Sequence, residues 1–273
     1  MATIHPTAVV DPSAKVSDDV EIGAGAVVEA DTEIGPGTVL RPYAVVRCFT
    51  IMGSGNFVDS FAVLGGYPQD LQFSAEQLTR LRIGNDNVFR EGVTISRGTG
   101  AGSETRVGNR TYWMANAHAG HNCEVGDRVI VVNGCLLAGH CVVDAGAILP
   151  ANGAIHQFCR VGEGAFFQGG AQVSMHVPPY VLCAGDNCVI GLNRVGLQRA
   201  EGISPRERSQ MREAFRITYQ QGLPLREALT AMNGCEDWSG IAVKFRDFIR
   251  DTLDAEKPYN RGLCPCRKGR VPV

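Results

Sequence analysis

The sequence predicts an all-β solenoid, a parallel β-helix, followed by a small α-helical domain. Three observations lead there: an apolar residue every six positions, a glycine often beside it, and a turn to helical periodicity after about residue 190. Hydrophobic residues make up 44% of the 273, enough to bury a core. The 26 basic and 28 acidic side chains leave a net charge of -2, which argues against a polyanion such as nucleic acid as partner. No basic segment leading into an apolar stretch opens the chain, and no run long and apolar enough to span a membrane occurs. The expectation is a soluble, cytoplasmic protein.

The first element is the ladder itself. Val10, Val16, Ile22, Val28, Ile34, Leu40, Val46, Met52, Val58 and Leu64 follow one another at six-residue steps. The frame resumes at Ile83, Phe89 and Ile95, and again from Val107 to Val173. A period of six fits neither a helix nor a flat sheet; it is one short strand plus one turn of a triangular coil. Three such units make a coil of 18 residues, and coils stack at about 4.8 Å to bury what none could bury alone. The inward positions are the apolar residue and the small residue two before it. Cys123, Cys141 and Cys159 fall on the small position 18 apart, so they read as a stacked core ladder.

Two insertions interrupt the frame, at residues 65–80 and 98–106. The first shifts the phase by one, and loops leaving a regular solenoid usually serve a site or an interface. "GTGAG" in the second lacks the Lys-Ser/Thr and the helix of a phosphate loop. The solenoid is expected over residues 1–190 and a helical domain over 191–255. "ISPRERSQMREAFRITYQQG" opens with Ser204 as N-cap, Pro205 after it and Glu207 at the third position, a capping box. "LPLREALTAM" and "GIAVKFRDFIRDTL" give two more amphipathic helices. Residues 256–273 read as a flexible tail, in which Cys264 and Cys266 form a lone C-x-C without the further ligands a zinc site needs. With no recurring Cys-x-x-Cys, most of the ten cysteines should be thiols.

The coil length converts sequence distance into position. His121 should lie beneath Gly139 and Gln157, Asn122 beneath His140 and Phe158, and Gly120 beneath Ala138 and His156. His118, His121, His140, His156 and Gln157 then converge on one outward corner. Three readings of that corner stand side by side: structural histidines in a non-catalytic assembly subunit, a three-imidazole zinc site of the carbonic-anhydrase type, and a catalytic base with its supporting groups. Gln157 and the Gly139 backbone suit sugar and oxyanion binding better than metal.

"NAHAGHNC", "LLAGH", "AIHQFC", "VPPYV" and "YPQDL" carry a resemblance. The chain resembles the hexapeptide-repeat acyltransferases, and among them the UDP-N-acetylglucosamine 3-O-acyltransferase family that begins lipid A synthesis. The resemblance implies a left-handed β-helix and a homotrimer with sites between subunits. It also implies transfer of a 3-hydroxyacyl chain from acyl carrier protein to UDP-N-acetylglucosamine, with no metal, cofactor or covalent intermediate. It makes His121 the general base and the Gly139 N–H the oxyanion donor. It lines the sugar pocket with His118, His140, His156 and Gln157, and brings Gln69, Asp70 and Gln72 from the first loop, Asp70 reaching the sugar from the neighbouring subunit. It sets Asn193 and Arg199 near the nucleotide and Gly169 at the end of the acyl groove. Arg206, Arg208, Arg212 and Arg216 become a docking face for the acidic carrier protein. Four positions depart from the family: Asn122 replaces an acid, Val195 a glutamate, Gln72 a lysine and Ala200 a basic residue. Each change removes a charge, which leaves open another sugar nucleotide, such as a 3-amino sugar, as acceptor.

Overall fold

The computed structural model describes residues 1–267. Strands of mostly two residues stack into three sheets of 11, 9 and 8 strands, parallel but for the last strand of the first, which form the faces of a triangular prism. Val10 pairs with Val28 and Val28 with Val46, so one coil is 18 residues, as the period requires. Across the first insertion the partner offset widens, Leu64 pairing with Ile95; across the second, Ile95 pairs with Ala119. The six-residue ladder points inward and is buried from Ile22 onward, together with the small residues two before it. Cys123, Cys141 and Cys159 are buried free thiols in that column.

Corners of the prism demand left-handed backbone. Asn122, His140 and Phe158 occupy one such corner in successive coils, with φ of 58°, 60° and 65°. Asparagine tolerates that region best, and a stacked column of side chains compensates the other two. The His140 ring lies against Phe158 at 4.8 Å between centroids.

The first insertion folds back because of Arg97. That side chain is 1% exposed, forms no ion pair among the described residues, and its guanidinium lies over Phe49, Tyr67 and Phe73 at 5.1, 5.1 and 5.5 Å. Ring faces offset the desolvation of the cation, and two of the three rings belong to the loop.

After the last parallel strand, Val181–Cys183, the chain returns antiparallel through Val189–Leu192. Four helices follow: α1 (Arg194–Arg199), α2 (Pro205–Tyr219), α3 (Leu225–Asn233) and α4 (Gly240–Asp254). The capping box is complete: Ser204 accepts from the Glu207 N–H while the Glu207 carboxylate accepts from the Ser204 N–H. α1 has no amphipathic period in the sequence to announce it. Phe245, Ile249 and Met211 are buried where α2 and α4 pack together.

The flexible-tail expectation fails for residues 259–267. Cys264 is fully buried, Leu263 pairs with His176 and Cys266 with Val189, and the Tyr219 hydroxyl donates to the Cys264 carbonyl. The segment is a strap, held because it satisfies backbone groups at the end of the solenoid that no further coil would satisfy. Residues 268–273 of that tail lie outside the described residues.

Candidate active site

One outward column of side chains builds the site wall. Thr94, His118, Leu136, Ala154 and Gln172 follow one another in register up the nine-stranded sheet. At the neighbouring corner His121 stands beneath Gly139. These groups, with Gln69, His156, Gln157 and Asn187, line an open cavity of about 960 Å³.

His121 is held by an amide that is itself held. Asn122 Oδ1 accepts from the Thr99 N–H at 2.9 Å, and its Nδ2 donates to the Thr99 carbonyl at 3.3 Å. Those two bonds fix which end of the amide is oxygen, so the 2.9 Å contact between His121 Nδ1 and Asn122 Oδ1 requires a proton on Nδ1. The lone pair is then on Nε2. Thr99 belongs to the second insertion, and its hydroxyl donates to Asp70 Oδ2 at 3.0 Å, tying in the first insertion as well. Asp70 also accepts from the Gln72 N–H; that bond foremost, then the Thr99 hydroxyl, holds its carboxyl below the usual range, and the nearby His121 and His140 add to the effect.

Gly139 is buried, lines the cavity, and donates its N–H to no backbone acceptor among the described residues. A methyl group there would lie 2.7 Å from the His121 ring. His118 Nδ1 meets the Thr94 hydroxyl at 2.8 Å, and burial pushes its pKa down. His140 meets His121 edge-on at 5.1 Å between centroids and is not part of the cavity wall; burial, then the His121 charge, lowers its pKa. Both are therefore poor carriers of positive charge at neutral pH.

The structure gathers His118, His121, His156, Gln157, Gln69 and Gly139 at one cavity, with Asn122, His140 and Asp70 immediately behind. It ties Asp70 to the site of its own chain. Others lie apart from the wall. Asn193 spends its side chain as the N-cap of α1, accepting from the Gly196 N–H and donating to the Gly164 carbonyl. Arg199 is exposed in the last turn of α1, and Gly169 and Gln72 are exposed outside the cavity. Of the four arginines of α2, Arg206 pairs with Asp237, Arg216 with Glu213, and Arg208 donates to the Ile203 carbonyl. Sequence reasoning missed Thr94, Thr99, Asn187 and the strap. Thr94 was within reach, had the second insertion been counted into the stacking offset. No three His, Cys, Asp or Glu side chains among the described residues of one chain are arranged to hold one metal ion.

The chain is similar to known proteins over most of its length. A hexapeptide transferase family model matches residues 104–139, and one described as UDP N-acetylglucosamine O-acyltransferase, domain 2, matches residues 176–264, which reaches into the strap. An acyl-ACP–UDP-N-acetylglucosamine O-acyltransferase of Stenotrophomonas maltophilia is 40% identical over 94% of this chain and 97% of its own. One from Anaeromyxobacter is 45% identical over 91% and 97%. The UDP-N-acetylglucosamine acyltransferase structure of Francisella novicida superposes with a TM-score of 0.89 at 32% identity, covering 98% of this chain and 95% of that one. The solenoid shares the left-handed turn of those structures. The chain belongs to the UDP-N-acetylglucosamine O-acyltransferase family.

Proposed function

We propose that the protein transfers a 3-hydroxyacyl chain from acyl carrier protein to the 3-hydroxyl of UDP-N-acetylglucosamine, the first step of lipid A synthesis. The observation that carries the reading is the pairing of a lone pair on His121 Nε2 with a free Gly139 N–H on the same cavity wall. A sugar hydroxyl is a weak nucleophile, so Nε2 takes its proton as the oxygen attacks the thioester carbonyl. The carbonyl oxygen gains a negative charge, which the Gly139 N–H meets. Collapse of the tetrahedral intermediate expels the carrier's thiolate, and the imidazolium returns the proton to that sulfur. Asn122 orients the ring but brings no charge; the carboxylate of Asp70 is tied to that amide through Thr99.

His118, His156, Gln157 and Gln69 bind the sugar nucleotide, and the arginine face of α2 receives the carrier protein. Arg199, Asn193, Gln72 and Gly169 belong to this reading only through the family resemblance. A homotrimer in the cytoplasm completes the proposal. No helix among the described residues is long and apolar enough to cross a membrane. Because Asn122 carries no charge, an acceptor that needs less help from a base, a 3-amino sugar nucleotide, is the second reading.

The test is acyl transfer from a panel of 3-hydroxyacyl carrier proteins to UDP-N-acetylglucosamine and its 3-amino analogue. We expect turnover with the hydroxyl acceptor, reduced by about 10²–10⁴-fold in His121→Ala. Turnover with the amine alone selects the second reading. Turnover with neither overturns both.

A further inference from the structure

The strap reaches the site from behind. Arg261 Nη2 lies 3.1 Å from His156 Nδ1, and Arg261 Nε donates to the Ser174 carbonyl at 3.1 Å, so the aim of the guanidinium is set independently of the histidine. The Gln157 carbonyl oxygen also lies 3.1 Å from the same Nδ1. These two contacts exclude one another. Arginine only donates, which needs a lone pair on Nδ1; a carbonyl only accepts, which needs a proton there. The strap is firmly seated: the His176 N–H donates to the Gly262 carbonyl at 2.7 Å, the Cys264 N–H to the His176 carbonyl at 2.8 Å, and His176 Nε2 meets the Tyr259 carbonyl at 2.7 Å. Tyr259 packs edge-on against Phe158 at 5.3 Å between centroids.

We propose that Arg261 is a positioning residue that sets the tautomer of His156. By donating to Nδ1 it moves the imidazole proton to Nε2, and His156 then offers the cavity a hydrogen-bond donor for an acceptor oxygen of the sugar nucleotide. Without Arg261 the proton returns to Nδ1, bonds the Gln157 carbonyl, and leaves Nε2 as an acceptor that a phosphate or carbonyl oxygen cannot use. The choice of ligand rests on the function proposed above; the tautomer does not.

The test is long-range ¹⁵N–¹H correlation of the histidine rings in the whole protein, with His156→Gln to assign the signals. Wild type should show the Nε2–H form of His156 and Arg261→Met the Nδ1–H form, while Arg261→Lys, which keeps a donor, should return Nε2–H. In acyl transfer, Arg261→Met should raise KM for the sugar nucleotide about tenfold, the worth of one hydrogen bond, with a smaller change in kcat. An Nδ1–H signal in wild type, or one unchanged in Arg261→Met, overturns the proposal. Should Arg261→Met fail to fold, Arg261→Ala takes its place, with the Nδ1–H form expected and an unchanged Nε2–H signal overturning the proposal. An inactive wild type whose tautomer follows Arg261 would sink the reaction and leave the positioning intact.

Discussion

A methyl group at position 139 would meet the His121 ring at 2.7 Å, yet the backbone there is not left-handed, so alanine is strained only by that ring. Gly139→Ala therefore tests the base without disturbing the coil. The half-buried imidazole must turn away, breaking its bond to Asn122 and moving Nε2 from the reacting hydroxyl. We expect kcat/KM to fall by about 10²-fold or more while Tm stays near wild type. Unchanged turnover would show that His121 does not act from this position. Residues 18 apart were legible in the sequence as neighbours, which is how His121, Gly139 and Gln157 were found. Thr99 was not, because its hold on Asn122 depends on the path of an aperiodic loop. The partners of Asn193 were not legible for a related reason: a motif match says nothing about which bonds a side chain already makes, and here it caps a helix.

Among the elements, the strap is the one that acid should release. His176 Nδ1 accepts from the Arg160 N–H at 2.9 Å and its Nε2–H donates to the Tyr259 carbonyl, so protonation at Nδ1 breaks a bond. Burial foremost lowers the His176 pKa; the Tyr259 carbonyl opposes that shift, and the charges of Arg160 and Arg261 add to it. The sign follows. Between the unfolded value of about 6.5 and the lowered folded value, the detached state binds more protons than the docked one, so docking is fully favoured above that window and weakens as pH falls through it. Hydrogen exchange, corrected for its intrinsic pH dependence, should show the Cys264 and Arg267 amides losing protection below about pH 6.5 in wild type but not in His176→Gln. Equal pH dependence in both would remove His176 from the docking. The capping box of α2 was legible because its residues are local. The strap was not, since its pairing to His176 and Val189 joins segments with no shared period.

For the whole molecule, the ten cysteines report how the solenoid opens. Cys123, Cys135, Cys141, Cys159, Cys183 and Cys264 are buried, while Cys48, Cys188, Cys235 and Cys266 are partly open. Burial pushes the Cys135 and Cys264 thiols up to about 12 and that of Cys159 to about 11, and a hydrogen bond to Cys123 together with burial raises Cys141 further. At pH 8 a thiol of pKa 12 is ionised on the order of 10⁻⁴ of the time, so burial and charge both withhold it from an alkylating reagent. Four cysteines should label quickly and six only as structure opens. The coils carrying Cys123, Cys141 and Cys159 share one core column, and Cys141 Sγ donates to the His156 carbonyl of the next coil at 3.2 Å. Opening one therefore uncovers its neighbour, and the three should label at one rate in pulse-alkylation read by mass spectrometry. Cys264 should label faster than these three below about pH 6.5, because only the strap has to lift. Separate rates for the three column cysteines would instead mean that the coils open singly, and that the stacking read from an 18-residue period does not make the solenoid one cooperative unit.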